Sequence, residues 1–520
     1  MLYGSRFIPV TKADLPGKSS VTFSDRYQLV VKRLKNEKRL GSGIEVARRM
    51  METKFEDCPE HDVGVDLRVV SAKFLNILPL GVSGFLRSNN LFDLGFIWYL
   101  WNHLKATAKY TFDVGAVAKD LSCKALCSDA AKRRVELLKL ISDPSVPCEA
   151  VITSLNRYLQ LLMGFIVATD NKTPFSKLRG LVCVKWCDSI KPKGEPIVRS
   201  DSIFELYSVL FNVALWYTKH AAKVASNENV SEDEAKDVHL SLKTAAGLFN
   251  LLRTKYMHEF TEFVPNSDMD PNILDAYINQ SLAEAQEITV ARAIELKHKP
   301  YLIAGLANET AKFYEKCGLA LTQCNPKVVG KWKKYSEFKQ FCYESYTYVY
   351  YGEDLLEKGK AGQAVAILKQ ASAPYEKAIR AAREYTKVEG ASLSTKPPDH
   401  CFFRRLPGLI ERTHNKCERE NGLIYHQKVP SVAPFLEIKA EYGIAAPKEP
   451  ELNFELDPRW KDAYVGFDTS KVVENILSNS KNSKDHKHSG TKDEPVEPVR
   501  EMPIFSTDKD PKNDSGCVIS

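Results

Sequence analysis

Apolar residues recur at three- and four-residue spacing over much of the chain. This spacing predicts amphipathic helices over residues 121–141 and 149–169, with a break at Asp143, Pro144 and Pro147. Residues 202–221 are apolar almost all round, which is typical of a helix buried on most faces. Asn212 within that helix is therefore predicted to be a core amide with hydrogen-bond partners.

Two short segments, residues 110–114 and 181–186, carry the pattern of β-strands. After residue 221 helical spacing dominates, and it predicts helices over residues 238–253, 273–296, 301–321, 332–356, 361–385 and 402–421. The part around the turn Lys358-Gly359-Lys360 has the anatomy of a tetratricopeptide-like hairpin, without a strict repeat. Asn421 and Gly422 are expected to end the last helix. The predicted fold class is mainly α with a small N-terminal β-sheet.

Composition narrows the class of protein. The chain has 520 residues, 44% of them hydrophobic, and its formal net charge is +7. That bias is compatible with acidic lipid headgroups and too weak for a nucleic-acid binder. No secretory pattern opens the chain, and the most apolar stretch, residues 74–101, is broken by Arg87 and Asp93. We therefore expect a cytosolic protein that contacts membranes only peripherally.

The sequence contains no recognisable catalytic motif. It lacks a glycine-rich phosphate loop, a His-Glu-x-x-His pair and a Gly-x-Ser-x-Gly elbow. Twelve cysteines are scattered, and the close pairs Cys123/Cys127 and Cys183/Cys187 have no neighbouring histidine. Such cysteines are typical of buried thiols in a reducing compartment. We expect no metal site and no cofactor, and the missing motifs favour a binding scaffold over an enzyme.

The last four residues, Cys517-Val518-Ile519-Ser520, form a prenylation box, and a final serine favours farnesyl. Residues 478–516 are rich in Lys, Asp, Ser, Asn and Pro, a composition that predicts a disordered linker. A prenyltransferase needs a flexible tail of this kind. We expect Cys517 to carry the lipid, and one such chain gives only weak, reversible membrane binding.

Four stretches together resemble the BRO-domain family. They are FELYSVLFNVALWYTKHA from Phe204, LKTAAGLFNLL from Leu242, AEAQEITVARAIELKHKPYLIAGLANETAKFY from Ala283 and ENGLIYHQKVP from Glu420. A prenylation box after a short tail is similar to one branch of that family. The resemblance covers roughly residues 104–520, and its motifs are specific in combination.

The resemblance implies a banana-shaped helical domain over residues 104–470, with a tetratricopeptide-like core and a small N-terminal sheet. It also implies binding to the C-terminal amphipathic helix of an ESCRT-III subunit of the charged multivesicular body protein four type. The family's docking patch corresponds to Thr289, Arg292, Leu302 and Leu306 on two predicted helices, with an acidic rim residue at Asp233. Tyr425 corresponds to a tyrosine that is modified in some relatives.

Two positions depart from the family pattern: Thr289 stands where other members carry an aromatic residue, and Gly305 where they carry a lysine. Residues 1–100 have no counterpart in the family and form an extension of unknown role. The sequence thus predicts a non-enzymatic, farnesylated adaptor for ESCRT-III subunits. The alternative is a helical scaffold for another membrane-linked or cytoskeletal partner. Helix-in-groove recognition fits the first reading, because Leu302 and Leu306 share one helix face.

Overall fold

The computed structural model describes residues 103–108, 117–169, 173–227, 230–261, 263–390, 401–436, 438–470, 496 and 498–504. The N-terminal extension, the strand candidate at residues 110–114 and the prenylation box lie outside these ranges. All of the described residues fall within one compact unit, Asn89–Ser520. The following account concerns the described part of that unit.

The first elements are a helix pair followed by a small sheet. Helices α1 (Leu121–Leu140) and α2 (Cys148–Ile166) pack on each other, as the apolar spacing predicts. Strands β1 (Cys183–Trp186) and β2 (Ile197–Ser200) are antiparallel, with Val184 opposite Arg199. The strand predicted over residues 181–186 is therefore confirmed.

Five long helices follow, and each packs on the next along the chain. Four of the five are capped by a side chain at their start: for example, Asp201 accepts the backbone N–H of Ile203, and Ser231 and Glu234 form a reciprocal capping box. The five are α3 (Ser202–Ala225), α4 (Glu232–Leu251), α5 (Pro271–Glu295), α6 (Pro300–Leu321) and α7 (Pro326–Glu357). The mainly helical fold is thus confirmed.

Two expected helix boundaries are wrong. The segment predicted as one helix over residues 361–385 is two helices, α8 (Ala361–Gln370) and α9 (Ser372–Tyr385). Pro374 has no N–H to donate to the carbonyl of residue 370, so the α-helical ladder breaks there. Helix α10 (Cys401–Glu420) does not end at Asn421 and Gly422. The chain continues as a π-helical turn, Asn421–Tyr425, until His426 takes a left-handed φ of 48°.

Helix α3 lies at the centre of the fold and is buried along nearly its whole length. As predicted, Asn212 is a satisfied core amide, because its side chain bonds both the N–H and the carbonyl of Lys105. The buried carboxylate of Glu205 accepts hydrogen bonds from Arg134 (2.6 Å), Trp186 (2.7 Å) and Tyr158 (2.9 Å). Desolvating this charge is tolerable because several donors surround it.

After His426 the chain is largely extended and returns across the helices. It lies so close to them that several helical positions accept only glycine. A Cβ atom at Gly247 of α4 would lie 2.2 Å from the carbonyl oxygen of Lys448, and one at Gly362 of α8 would lie 2.6 Å from that of Lys428. The short helix α11 (Trp460–Ala463) then places the Trp460 ring against Gly164 of α2.

Part of the predicted linker is attached to the fold. Glu501 accepts the backbone N–H of Leu104 at 2.8 Å and pairs with Lys219 at 2.5 Å, and Ile504 is buried. The expectation of disorder throughout residues 478–516 is therefore wrong at residues 498–504, where burial of an apolar side chain and an ion pair hold the chain. Among the described residues, no helix combines the length and apolar character needed to cross a bilayer.

The close approach at Gly247 leads to a stability prediction. We expect Gly247→Ala to lower the free energy of unfolding by about 1–3 kcal/mol, because the methyl group must displace the backbone at Lys448. Gly318→Ala is the matched control. Gly318 also lies within a long helix, but a Cβ there meets nothing within 4 Å, so this change should stabilise by about 0.5–1 kcal/mol. Denaturant unfolding of both variants measures the difference, and equal effects would contradict the proposed contact.

Candidate functional site

The residues of the expected docking patch come from three neighbouring helices. Asp233 lies in the first turn of α4, Thr289 and Arg292 in the last third of α5, and Leu302 and Leu306 in the first two turns of α6. Helix α5 packs against both α4 and α6. The structure therefore brings these sequence-distant residues to one region.

Charged side chains form one edge of this region. Arg292 pairs with Glu232 of α4 at 3.3 Å and with Glu295 of its own helix at 3.2 Å. The side chain of Asp233 is 93% exposed and pairs with Lys236 at 3.2 Å, and this hydrogen bond raises the pKa of Lys236. The pair of Asp233 and Lys236 is exposed and contributes little to stability, whereas Arg292 and Glu295 are half-buried.

The two leucines differ in exposure. Leu302 is half-buried and packs at the margin of the core, whereas Leu306 is only 2% exposed. Leu306 is covered by Gly443, where a Cβ atom would lie 3.2 Å from Cδ2 of Leu306 and 3.6 Å from Cγ2 of Thr289. Gly443 has a φ of 77°, a conformation that glycine adopts without strain. Leu306 therefore packs beneath Gly443 and is not exposed at the surface of the expected docking patch.

Residues 438–447, which we call the covering segment, are hydrogen-bonded to α5 through the side chain of Gln286. The amide of Gln286 donates to the carbonyl of Gly443 at 2.8 Å and accepts the N–H of Ala445 at 2.6 Å. The role of Gln286 is not predictable from the sequence, because no neighbouring residue indicates that this amide bonds to a segment more than 150 residues away.

Both departures from the family pattern lie beneath the covering segment. A Cβ at Gly305 would lie 3.2 Å from the backbone N and Cα of Ala440, so a lysine there would push the segment away. Thr289 lies next to Gly443, where an aromatic ring would need more room. These two small residues therefore allow the covering segment to lie directly on α5 and α6.

Tyr425 lies at the end of the π-helical turn that follows α10. Its side chain is 37% exposed, and its ring edge would lie 3.7 Å from a Cβ at Gly359, in the turn between α7 and α8. The neighbouring Gln427 bonds the carbonyl of Gly359 and the N–H of Gly362. The tyrosine thus lies beside the turn between α7 and α8, where Lys358 stacks on Tyr301 of α6, the residue directly before Leu302.

A second cluster of chemically active side chains was not expected from the sequence. Cys148, His220 and Asp237 come from α2, α3 and α4, and their potential ligand atoms all lie within 4.8 Å of one another. Burial lowers the pKa of His220, but hydrogen bonds with Asp237 and Cys148 outweigh this effect and raise it to about 10. No other group of this kind occurs among the residues that the structure describes. The three are 72 and 17 positions apart in sequence, so spacing gives no sign of the cluster.

A sequence profile of the BRO1-like domain matches residues 130–471, about two thirds of the chain. The chain therefore belongs to the BRO1-like domain family. Within that family it is similar to the human protein called BRO1 domain-containing protein BROX, with 42% identity over 379 residues, which cover 72% of this chain and 91% of that protein. Its counterpart in Danio rerio is 40% identical over 426 residues, which cover 81% of this chain and 99% of that protein.

The fold agrees with this assignment. A solved structure described as the structure basis for endosomal targeting by the Bro1 domain superimposes with a TM-score of 0.52 at 23% sequence identity. The match covers 73% of this chain and 99% of the other. The mainly helical architecture with a two-stranded sheet is thus that of the family.

The unequal burial of the two leucines leads to a prediction. Leu306→Asp places an unpaired carboxylate beneath the covering segment, and we expect it to lower the free energy of unfolding by about 4 kcal/mol or more. Leu302→Asp leaves the charge at the margin, where solvent reaches it, and should cost about 1 kcal/mol or less. Thermal unfolding of the two variants checks this ranking, and equal losses would show that the covering segment does not shield Leu306.

Proposed function

We propose that this chain is a non-enzymatic adaptor that binds the C-terminal helix of an ESCRT-III subunit of the charged multivesicular body protein four type. The observation that carries the proposal is the surface of α5 and α6, where the half-buried side chains of Thr289, Arg292 and Leu302 reach solvent beside a charged edge. These positions are the ones that the family resemblance assigns to partner binding.

An amphipathic helix fits such a surface. Leu302 offers an apolar contact, and Tyr442 and Ile444 of the covering segment add exposed apolar side chains on either side of Gly443. Arg292 faces acidic residues of an incoming helix, and Asp233 faces basic ones. Apolar anchors with charged edges are the usual basis of helix-in-groove recognition. The covering segment is thus one wall of the docking surface, supported by Leu306.

Enzymatic activity has little support among the described residues. A cleft of about 680 Å³ lies where residues 451–455 cross Asn156, and it is lined by Asn156, Glu451, Leu452, Asn453, Phe454 and Glu455. This lining contains two carboxylates but no histidine, cysteine or lysine that could act with them as a base or nucleophile. The cleft therefore does not change the proposal of an adaptor.

A scaffold for a different partner is the second candidate, and one observation favours it. Leu423 and Ile424 in the π-helical turn after α10 are among the most exposed large apolar side chains of the described part of the chain. They stand beside Tyr425, whose modification remains a prediction. A phosphate there would add negative charge next to an apolar contact and would weaken binding at this turn.

Membrane attachment through a farnesyl group on Cys517 belongs to the same proposal. Residues 498–504 are held on the fold, so the chain from residue 505 to Cys517 is the tether, with a maximum reach of roughly 45 Å. One farnesyl chain on such a tether gives reversible binding, and the bound partner would supply the second membrane signal. The adaptor would then accumulate where ESCRT-III subunits are already assembled.

The docking surface is tested by Leu302→Asp. A micromolar complex is worth about 8 kcal/mol, and burying an unpaired carboxylate costs several kcal/mol, so binding of the isolated ESCRT-III C-terminal helix should be lost. Leu319→Asp is the control. Leu319 is an exposed leucine on the same helix, about 25 Å along its axis, and its replacement should leave the affinity unchanged. Fluorescence anisotropy with a labelled peptide measures both, and retained binding by Leu302→Asp would place the docking site elsewhere.

The anchor is tested separately by Cys517→Ser. Without an acceptor thiol no prenyl group is attached, and the protein should move from the membrane fraction to the soluble fraction of cells. Ser520→Leu keeps the thiol but favours geranylgeranyl, so this variant should remain on membranes. Mass spectrometry of the C-terminal peptide identifies the lipid. Unchanged fractionation of Cys517→Ser would exclude the farnesyl anchor while leaving the docking proposal intact.

A further inference from the structure

We infer that Cys148, His220 and Asp237 form a zinc-binding site between α2, α3 and α4. The Nε2 atom of His220 lies 3.0 Å from Oδ2 of Asp237, and the Sγ atom of Cys148 lies 3.9 Å from Oδ1 of the same carboxylate. Zinc bonds of about 2.0–2.3 Å place tetrahedral ligand atoms roughly 3.3–3.7 Å apart. The observed separations lie on either side of that range, so small side-chain rotations suffice to coordinate the ion.

The orientation of His220 supports the assignment. Its Nδ1 atom lies 2.7 Å from the carbonyl oxygen of Pro144, and a carbonyl can only accept, so Nδ1 carries the hydrogen. The ring also stacks on Trp216, with 5.0 Å between ring centroids. Histidine ligands of zinc are usually held in this way, by a hydrogen bond from the other ring nitrogen to a carbonyl or carboxylate. Nε2 therefore faces the thiol and the carboxylate, and zinc binding would release the proton that Nε2 shares with Asp237 in the metal-free protein.

The same hydrogen bond argues against a cysteine nucleophile activated by a histidine. In such a relay the histidine uses one nitrogen for the nucleophile and the other for the orienting acid. Here Pro144 occupies Nδ1, so only Nε2 is available to both Cys148 and Asp237. The three groups therefore converge on one point, which is the geometry of metal coordination.

The surroundings suit a zinc ion with one open position. Ser241 lies 3.3 Å from Oδ1 of Asp237 and orients the carboxylate, as outer residues of metal sites do. The Asp237 side chain is 40% exposed, so a water molecule can reach the ion as the fourth ligand. A set of one sulfur, one nitrogen and one oxygen atom favours zinc over magnesium or calcium, which prefer oxygen ligands only. Bound zinc would join three helices of the fold.

Cobalt is a suitable probe, because Co²⁺ replaces Zn²⁺ in tetrahedral sites and absorbs visibly when thiolate is a ligand. The full-length chain, stripped of metal by a chelator, is titrated with Co²⁺ and followed by absorption. We expect one equivalent to produce the thiolate-to-cobalt band and Zn²⁺ to abolish it. Cys148→Ser should remove the band, whereas Cys183→Ser, which changes an exposed thiol of β1, should retain it.

Asp237→Asn provides a second variant, since it changes an exposed ligand and keeps the size of the side chain. It should weaken cobalt binding at least about tenfold while leaving the far-ultraviolet circular dichroism unchanged. Zinc should also raise the Tm of the wild-type chain and of Cys183→Ser, but not that of Cys148→Ser. Absence of a thiolate band in the folded wild-type protein, or a band that persists in Cys148→Ser, would overturn the site and show adventitious binding only.

Discussion

The direct contact between the extended C-terminal part of the chain and the backbones of the helices is the constraint on which the rest of the structure depends. At Gly247 and Gly362 the returning chain lies where a side chain would otherwise be. The same contact occurs at Gly305, beneath Ala440, and at Gly164, against Trp460. One extended segment therefore contacts four helices, and the relative positions of these helices cannot change without displacing that segment.

Buried charges add a second constraint, because each must find its partners on other elements. Glu205 of α3 is satisfied by residues from α1, α2 and β1, and Glu287 of α5 is bonded by Tyr314 of α6 and Lys339 of α7. A buried ion pair adds little net stability, but a single partner left unpaired is costly. These networks therefore favour one arrangement of the helices over alternative arrangements that would bury a similar apolar area.

The proposed docking surface and the Cys148–His220–Asp237 cluster depend on different packing contacts. The proposed docking surface consists of half-buried residues of α5 and α6 together with the covering segment, so it depends on where Gly443 lies. The Cys148–His220–Asp237 cluster depends on the packing of α2, α3 and α4. Helix α4 contributes to both proposed sites, because Asp233 and Asp237 lie one turn apart, so a partner helix and a zinc ion would act on neighbouring parts of the domain.

The sequence by itself determined most of the helices, strand β1, the core role of Asn212 and membership of the family, whereas strand β2 was not predicted. Local periodicity and capping residues specify a helix wherever they agree, and they require no knowledge of distant contacts. The sequence did not reveal the break between α8 and α9, although Pro374 was visible there, because apolar spacing continues across it. The Cys148–His220–Asp237 cluster left no sign in the spacing of its members.

Only the tertiary structure decided which residues of the expected patch reach the surface. Leu302 and Leu306 share one face of α6 and are chemically identical, so no local pattern separates them. Their difference comes from Gly443, more than 130 residues further along the chain, which covers one leucine and not the other. The exposure of a side chain depends on all the residues that pack around it, whereas a helical pattern in the sequence describes only its own helix.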